Sequence, residues 1–185
     1  MDPKPQDVPL KGSLILFDVD GTLLDAGDLI VRTMVEAFLA AGEPPPAAVD
    51  VRRSIGLSQP EMVNSLAATL PEDRRQKIQA GYRLRYFDML EQEMTPKVFP
   101  GAARALARLR REGMLLGITT GKARRSTQFM LDDNAWNGLF HTVQCADENP
   151  SKPDPSMIRR AMAATGRRPD ETILVGDSRY DMRMA

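Results

Sequence analysis

An α/β fold is predicted for this chain: a parallel sheet covered by helices on both faces, with an all-helical cap inserted after the first strand. Three observations lead there. Four short apolar runs each end in polar groups: Leu14–Phe17, Met114–Thr120, Phe140–Cys145 and Thr172–Val175. The last three runs each follow a helical pattern, and strand–helix alternation of this kind argues for a parallel sheet. Residues 25–96 break the alternation with helical patterns alone.

Taken in order, residues 1–12 carry three prolines and few apolar side chains, and read as a disordered lead-in. Leu14-Ile15-Leu16-Phe17 suits a buried strand. Helical patterns follow at Asp28–Ala41, Ala47–Ser54, Pro60–Leu70 and Pro71–Gln92, with hinges expected near Gly27 and Thr95-Pro96. Pro100–Glu112 places Ala103, Leu106, Ala107 and Leu109 on one side and stops at Gly113. Helices are also expected at Lys122–Asn134, carrying Phe129, Met130 and Leu131, and at Pro155–Thr165, ended by Gly166. Right-handed crossovers would place every strand's C-terminal end along one edge. The expected division is a core of 13–24 and 97–185 with a cap of 25–96. In an open α/β sheet the ligand sits outside the strand C-termini, so the cap would cover the site.

Composition excludes several classes of function. Lys+Arg and Asp+Glu both number 25, so no global charge points to nucleic acid or a membrane surface. No apolar run approaches the length of a membrane span, and the lead-in has no secretory apolar region. Cys145 is the single cysteine, which favours a reducing compartment, the cytoplasm. One His and one Cys cannot build a zinc cluster. His141 lies within or beside a strand rather than at its C-terminal end, which disfavours a Ser-His-Asp triad.

What remains is a convergence of polar groups on one sheet edge. Asp18 and Asp20 follow the first strand. In extended chain, residues two apart point to the same side, and two such carboxylates repel unless a cation sits between them. The pair therefore suggests Mg²⁺, which takes oxygen ligands and keeps several waters. Thr120, Lys152, Asp177 and Asp181 arrive at or after the other strand ends. A fixed ammonium plus a hydroxyl suits the oxygens of a moving phosphoryl group. A calcium loop starting at Asp18 fails, because its sixth position is Leu23 and its twelfth is Leu29.

Four segments, Asp18-Val19-Asp20-Gly21-Thr22, Thr120-Gly121-Lys122, Lys152-Pro153-Asp154-Pro155 and Val175-Gly176-Asp177-Ser178-Arg179-Tyr180-Asp181, resemble the four motifs of the haloacid dehalogenase superfamily. The single helical cap resembles its phosphoglycolate phosphatase-like and β-phosphoglucomutase-like branch. The resemblance covers nearly the whole chain after Gly12 and implies a Rossmann-like core. It implies that Asp18 is the nucleophile that forms an aspartyl-phosphate. Asp20 would protonate the leaving oxygen and then deprotonate water. Thr120 and Gly121 would line the phosphoryl pocket, and Lys152 would neutralise charge there. The Mg²⁺ would be held by Asp18, the Asp20 backbone carbonyl, Asp177 and Asp181, with Asp181 as a ligand or as a partner of one. An acid at position 20 disfavours dehalogenation, since halide leaves without a proton.

The implied activity is a Mg²⁺-dependent phosphomonoester hydrolase for a small phosphorylated metabolite such as phosphoglycolate, acting as a monomer or weak homodimer. A sugar phosphomutase and a truncated phosphate-binding module without turnover are the alternatives. Thr119 is an alternative hydroxyl to Thr120. Ser178-Arg179-Tyr180-Asp181 also reads as a capping box. Lys122, Arg124 and Arg125 read as a solvated helix face, or as a phosphate contact. The resemblance places the loop from Arg52 to Ser58 over the site, where Arg52 or Arg53 would bind a second anionic group; the alternative is a solvated helix end. Trp136 reads as packing, and His141 and Cys145 as core or strand-face residues. The resemblance also leads to the expectation of further elements after Ala185, so the sheet would expose its last strand. Weakened stability or strand-mediated association would follow, and monomeric, cooperative unfolding would contradict that expectation.

Overall fold

The computed structural model describes residues 11–92 and 95–185. The expected lead-in therefore lies outside the described residues, apart from Lys11 and Gly12. Four strands form one parallel sheet: β1 (Leu14–Phe17), β4 (Leu115–Thr120), β5 (Thr142–Cys145) and β6 (Thr172–Val175), in the order β5-β4-β1-β6. The register is continuous, with Phe17 opposite both Ile118 and Val175. All four C-terminal ends therefore share one edge.

Side-chain alternation along β1 explains why both faces are covered. Ile15 and Phe17 join one apolar cluster with Leu106 of α5 (Ala102–Arg111) and Met130 and Leu131 of α6 (Arg124–Asp133). Leu14 and Leu16 face the other way, onto Ala161, Ile158 and Met162 of α7 (Ser156–Thr165). Trp136 packs with the first cluster. The strand order reverses between β1 and β6, and such a reversal opens a crevice outside the strand ends. Among the described residues β6 pairs on one side only, and its Ile173 and Val175 are 41% and 38% exposed.

Helices α1 (Gly27–Ala41), α2 (Ala48–Ser54), α3 (Gln59–Leu66) and α4 (Glu72–Glu91) pack around a separate apolar cluster. Met34, Ala37 and Phe38 of α1 meet Val51, Val63, Ile78 and Tyr82 there. Two antiparallel two-residue strands, β2 (Leu24–Asp25) and β3 (Lys97–Val98), tie the entry and exit of this segment together. Sequence patterning does not find them, because two residues carry no periodicity. No helix among the described residues is long and apolar enough to cross a membrane. The short α8 (Arg179–Met184) begins at the capping box read from the sequence: Ser178 accepts from the Asp181 amide, and the Asp181 carboxylate accepts from the Ser178 amide at 3.1 Å.

Candidate active site

Asp18 continues the β1 ladder by donating its amide to the Val175 carbonyl at 2.9 Å. Its side chain is buried at the crevice. Asp18 Oδ1 accepts from Lys152 Nζ at 2.6 Å, and Asp181 Oδ1 accepts from the same ammonium at 2.6 Å. Asp18 Oδ2 is buried and has no hydrogen-bond partner among the described residues. Burial pushes the Asp18 carboxyl up to about 7; Lys152 opposes that rise and Asp181 adds to it. Burial also works against the Lys152 charge, but Asp18 and Asp181 outweigh it and hold Lys152 above the usual lysine range. Two carboxylates share one ammonium, so the cluster is short of positive charge.

Asp20 borders the same cavity as Asp18 and is near enough to add to the rise in its pKa, but one cation does not bridge the two. β1 ends at Phe17, and the chain turns: the amides of Thr22, Leu23 and Leu24 all donate to the Val19 carbonyl. Asp20 accepts from its own cation, Lys122 Nζ, at 2.8 and 3.0 Å. That ammonium also donates to Tyr86 Oη of α4 at 2.9 Å. Burial disfavours the charge on Lys122, yet Asp20 and Tyr86 keep its pKa above the usual range.

The solvated-face reading of Lys122 is thus corrected. The helix begins at Arg124, not at Lys122, so Lys122 belongs to the loop at the β4 end, and its side chain lines the cavity there. Its position two residues after Thr120 was the available signal. Arg124 is not a free surface charge either, since it bonds the Glu148 carboxylate and the Val143 carbonyl. Arg125 lies over the Phe87 ring, 4.1 Å from its centroid.

Asp177 receives the Thr22 hydroxyl at 3.1 Å, a positioning contact that sequence reading did not assign. Gly21 has φ +96°, and a Cβ there would fall on the Asp177 carboxylate, so this turn tolerates only glycine beside it. Asp18, Asp177 and Asp181 each offer a carboxylate oxygen within 4.8 Å of the others. The Asp20 carboxylate is not in that group; it is turned to Lys122. Asp181 already spends Oδ1 on Lys152 and Oδ2 on Ser178. Thr120 is fully buried at the end of β4, and its Oγ1 accepts from the Lys122 amide at 3.2 Å, which leaves its own proton to donate. Thr119 is equally buried, and its hydroxyl has no partner among the described residues.

The loop Ile55–Ser58, between α2 and α3, rests on the core. Ser58 N donates to Ser151 Oγ at 2.8 Å, next to Lys152. A Cβ on Gly121 would come within 2.9 Å of the Gly56 carbonyl oxygen, so the absent side chain lets this loop lie against the β4 end. Arg52 and Arg53 do not reach the site. Arg52 pairs with Asp28 of α1, Arg53 with Asp50 one helical turn back, and neither lines the cavity. Carboxylates within reach of the last turn of α2 take both guanidinium groups. His141 sits at the N-terminal end of β5, away from this edge. It is exposed rather than a core residue, and its ring bonds the Leu116 amide and Arg110. Cys145 is buried and its thiol lies 3.5 Å from Thr127 Oγ1.

A stability effect follows from the Asp18 shift. The folded state holds a proton on Asp18 up to about pH 7. The unfolded chain loses it near pH 3.9. Between those values the folded state binds more protons, so this group's contribution to stability falls as pH rises. In EDTA, the wild-type protein is expected to lose urea stability relative to Asp18→Asn as pH rises from about 4 to about 7. Parallel profiles for the two proteins would contradict the assignment.

The fold and these motifs have known relatives. The family model for haloacid dehalogenase-like hydrolases matches residues 15–185. Phosphoglycolate phosphatase 1 of Pseudomonas aeruginosa is 28% identical over 93% of this chain, which spans 65% of that protein. The probable phosphatase IndB of Dickeya dadantii is 32% identical over 93% of the chain and 76% of its own length. The crystal structure of a hydrolase from Pseudomonas syringae superimposes with a TM-score of 0.81 at 25% identity, over 93% of this chain and 79% of that one. With four strand ends carrying the acids, hydroxyl and lysine in sequence order, and a family match across nearly the whole chain, this protein belongs to the haloacid dehalogenase-like hydrolases.

Proposed function

We propose that this chain is a Mg²⁺-dependent phosphomonoester hydrolase that turns over a small phosphorylated metabolite through an aspartyl-phosphate on Asp18. The observation that carries the reading is Asp18 itself: buried at a strand end, fixed through Oδ1 by Lys152, with Oδ2 unpartnered. The free oxygen would attack phosphorus while the bond to the leaving oxygen breaks. Lys152 holds the carboxylate in line and offsets the charge gathering on the phosphoryl oxygens. Thr120 donates to one of those oxygens. Asp20, oriented by Lys122, gives the leaving oxygen its proton. It then takes a proton from water, which attacks the phosphoryl group, releases phosphate and regenerates Asp18.

The three clustered carboxylates of Asp18, Asp177 and Asp181 suit a hard, oxygen-seeking cation. Asp18 and Asp177 would hold Mg²⁺, with Asp181 beside them anchoring Lys152. When bound, Mg²⁺ neutralises negative charge on the phosphoryl group. The buried, unpaired Cys145 thiol fits the cytoplasm as the working compartment.

A phosphate-release screen over small phosphomonoesters, with Mg²⁺ and with EDTA, tests this. Release in Mg²⁺ and its loss in EDTA are expected. No release from any ester, or release that ignores EDTA, contradicts the reading.

A further inference from the structure

A cavity of about 800 Å³ lies between the helical cap and the sheet edge, with Asp18, Asp20 and Lys122 among the residues lining it. The cap side of its wall is mainly apolar, with Gln59, Arg83, Asp88 and Glu91 also bordering it. Leu57 and Met62 line it together with three aromatic rings of α4. Tyr82 stacks on Tyr86 at a centroid separation of 6.0 Å, and Tyr86 meets Phe87 edge-on at 5.8 Å, so the rings form one continuous surface.

The two lysines near the reacting end are already engaged. Lys152 is shared by Asp18 and Asp181, and Lys122 by Asp20 and Tyr86. Arg52 and Arg53 face Asp28 and Asp50. A two-carbon acid such as glycolate would thus find both lysines already shared; the other cations lining the cavity, Arg83 and Arg125, stand on α4 and α6, the latter over the Phe87 ring. Such an acid would also leave most of the cavity as water against apolar wall. An apolar body large enough to cover that wall gains the free energy of removing both surfaces from water.

Building on the phosphomonoester reading above, we infer that the substrate's leaving group carries a ring-sized apolar body, seated against Leu57, Met62 and the α4 aromatics, rather than a small carboxylate. The cap then selects by shape and apolar contact, and the core supplies the phosphoryl chemistry. One residue gives the inference a handle. Ala80 lines the cavity from an exposed position on α4, so a larger side chain there intrudes on the space without disturbing the cap's apolar cluster.

Binding, not turnover, is the test. Calorimetric titration of Asp18→Asn in Mg²⁺ compares 2-phenylethyl phosphate, ethyl phosphate and phosphoglycolate, three alkyl esters with similar reacting ends. The phenylethyl ester is expected to bind about tenfold tighter than either of the others, the scale that apolar pockets reach for a few added carbons. Adding Ala80→Trp is expected to bring that preference down to about twofold. Equal, weaker or undetectable binding of the phenylethyl ester overturns the inference, and a preference that survives Ala80→Trp overturns this wall as its origin. Hydrolysis of the three esters by the wild-type protein is scored separately. Its absence counts against the phosphatase reading, whereas binding preference without hydrolysis leaves the apolar leaving-group site standing.

Discussion

Asp18→Asn is expected to lower phosphate release on the order of 10⁴-fold or more, the scale seen when a catalytic nucleophile is removed. Asparagine keeps the shape of the side chain and one carbonyl oxygen for Lys152, but it cannot attack phosphorus. The fold should not suffer. The cluster holds two carboxylates and one ammonium, and the substitution removes the excess negative charge from a site that is 1% exposed. Thermal unfolding at neutral pH in EDTA should therefore give a midpoint equal to or above that of the wild type. A rate within about tenfold of wild type would mean that another group attacks.

Lys152→Met is expected to damage both stability and activity. Lys152 is buried, and it is the partner of two carboxylates that are themselves almost fully buried. Removing one member of a buried ion pair costs about 3–5 kcal/mol, because the remaining charge is left without compensation. Urea unfolding at neutral pH should show a loss of that size. The sign of its pH dependence is fixed by the same geometry. The folded pKa of Lys152 is raised, so its contribution is fully present throughout the neutral range and is lost only at strongly alkaline pH. Lys152 pulls the Asp18 pKa down, so the Met variant keeps the Asp18 proton to higher pH than the wild type, whose carboxyl titrates at about 7; the deficit should therefore be smaller at about pH 5 than at about pH 8. Phosphate release should fall with the stability-corrected protein, since Thr120 alone would face the phosphoryl oxygens. Wild-type stability and rate together would contradict the role given to Lys152.

Much of this architecture is legible in the sequence because its signals are local. Leu14–Phe17 reads as a strand from apolar residues alone, and Gly113 and Gly166 mark helix ends by their freedom to take positive φ, which both adopt. The strand-end acids, Thr120 and Lys152 are legible because parallel topology gathers every strand's C-terminus at one edge. What was not legible depends on the placement of distant segments. Lys122 reads as a surface charge until Tyr86, thirty-six positions earlier in the chain, is seen against its ammonium. Arg52 and Arg53 read as anion binders until Asp28 and Asp50 are seen to take them. The spacing of Asp18 and Asp20 calls for positive charge, and both carboxylates meet an ammonium. The turn after Phe17 sends the two side chains to different lysines, Asp18 to the Lys152 it shares with Asp181 and Asp20 to Lys122, which no local pattern shows. The size and lining of the cavity depend wholly on how α3, α4 and the loop Ile55–Ser58 sit over the strand ends, which no local pattern encodes.

Covalent capture tests the central claim most directly. The protein is mixed with a phosphomonoester and Mg²⁺, quenched in acid within the first turnovers, digested, and examined by mass spectrometry. A phosphoryl group on Asp18, missing from the unreacted protein, is the predicted result. A phosphoryl group on any other residue, or phosphate release with none on the protein at any quench time, would contradict the assignment of Asp18 as the nucleophile.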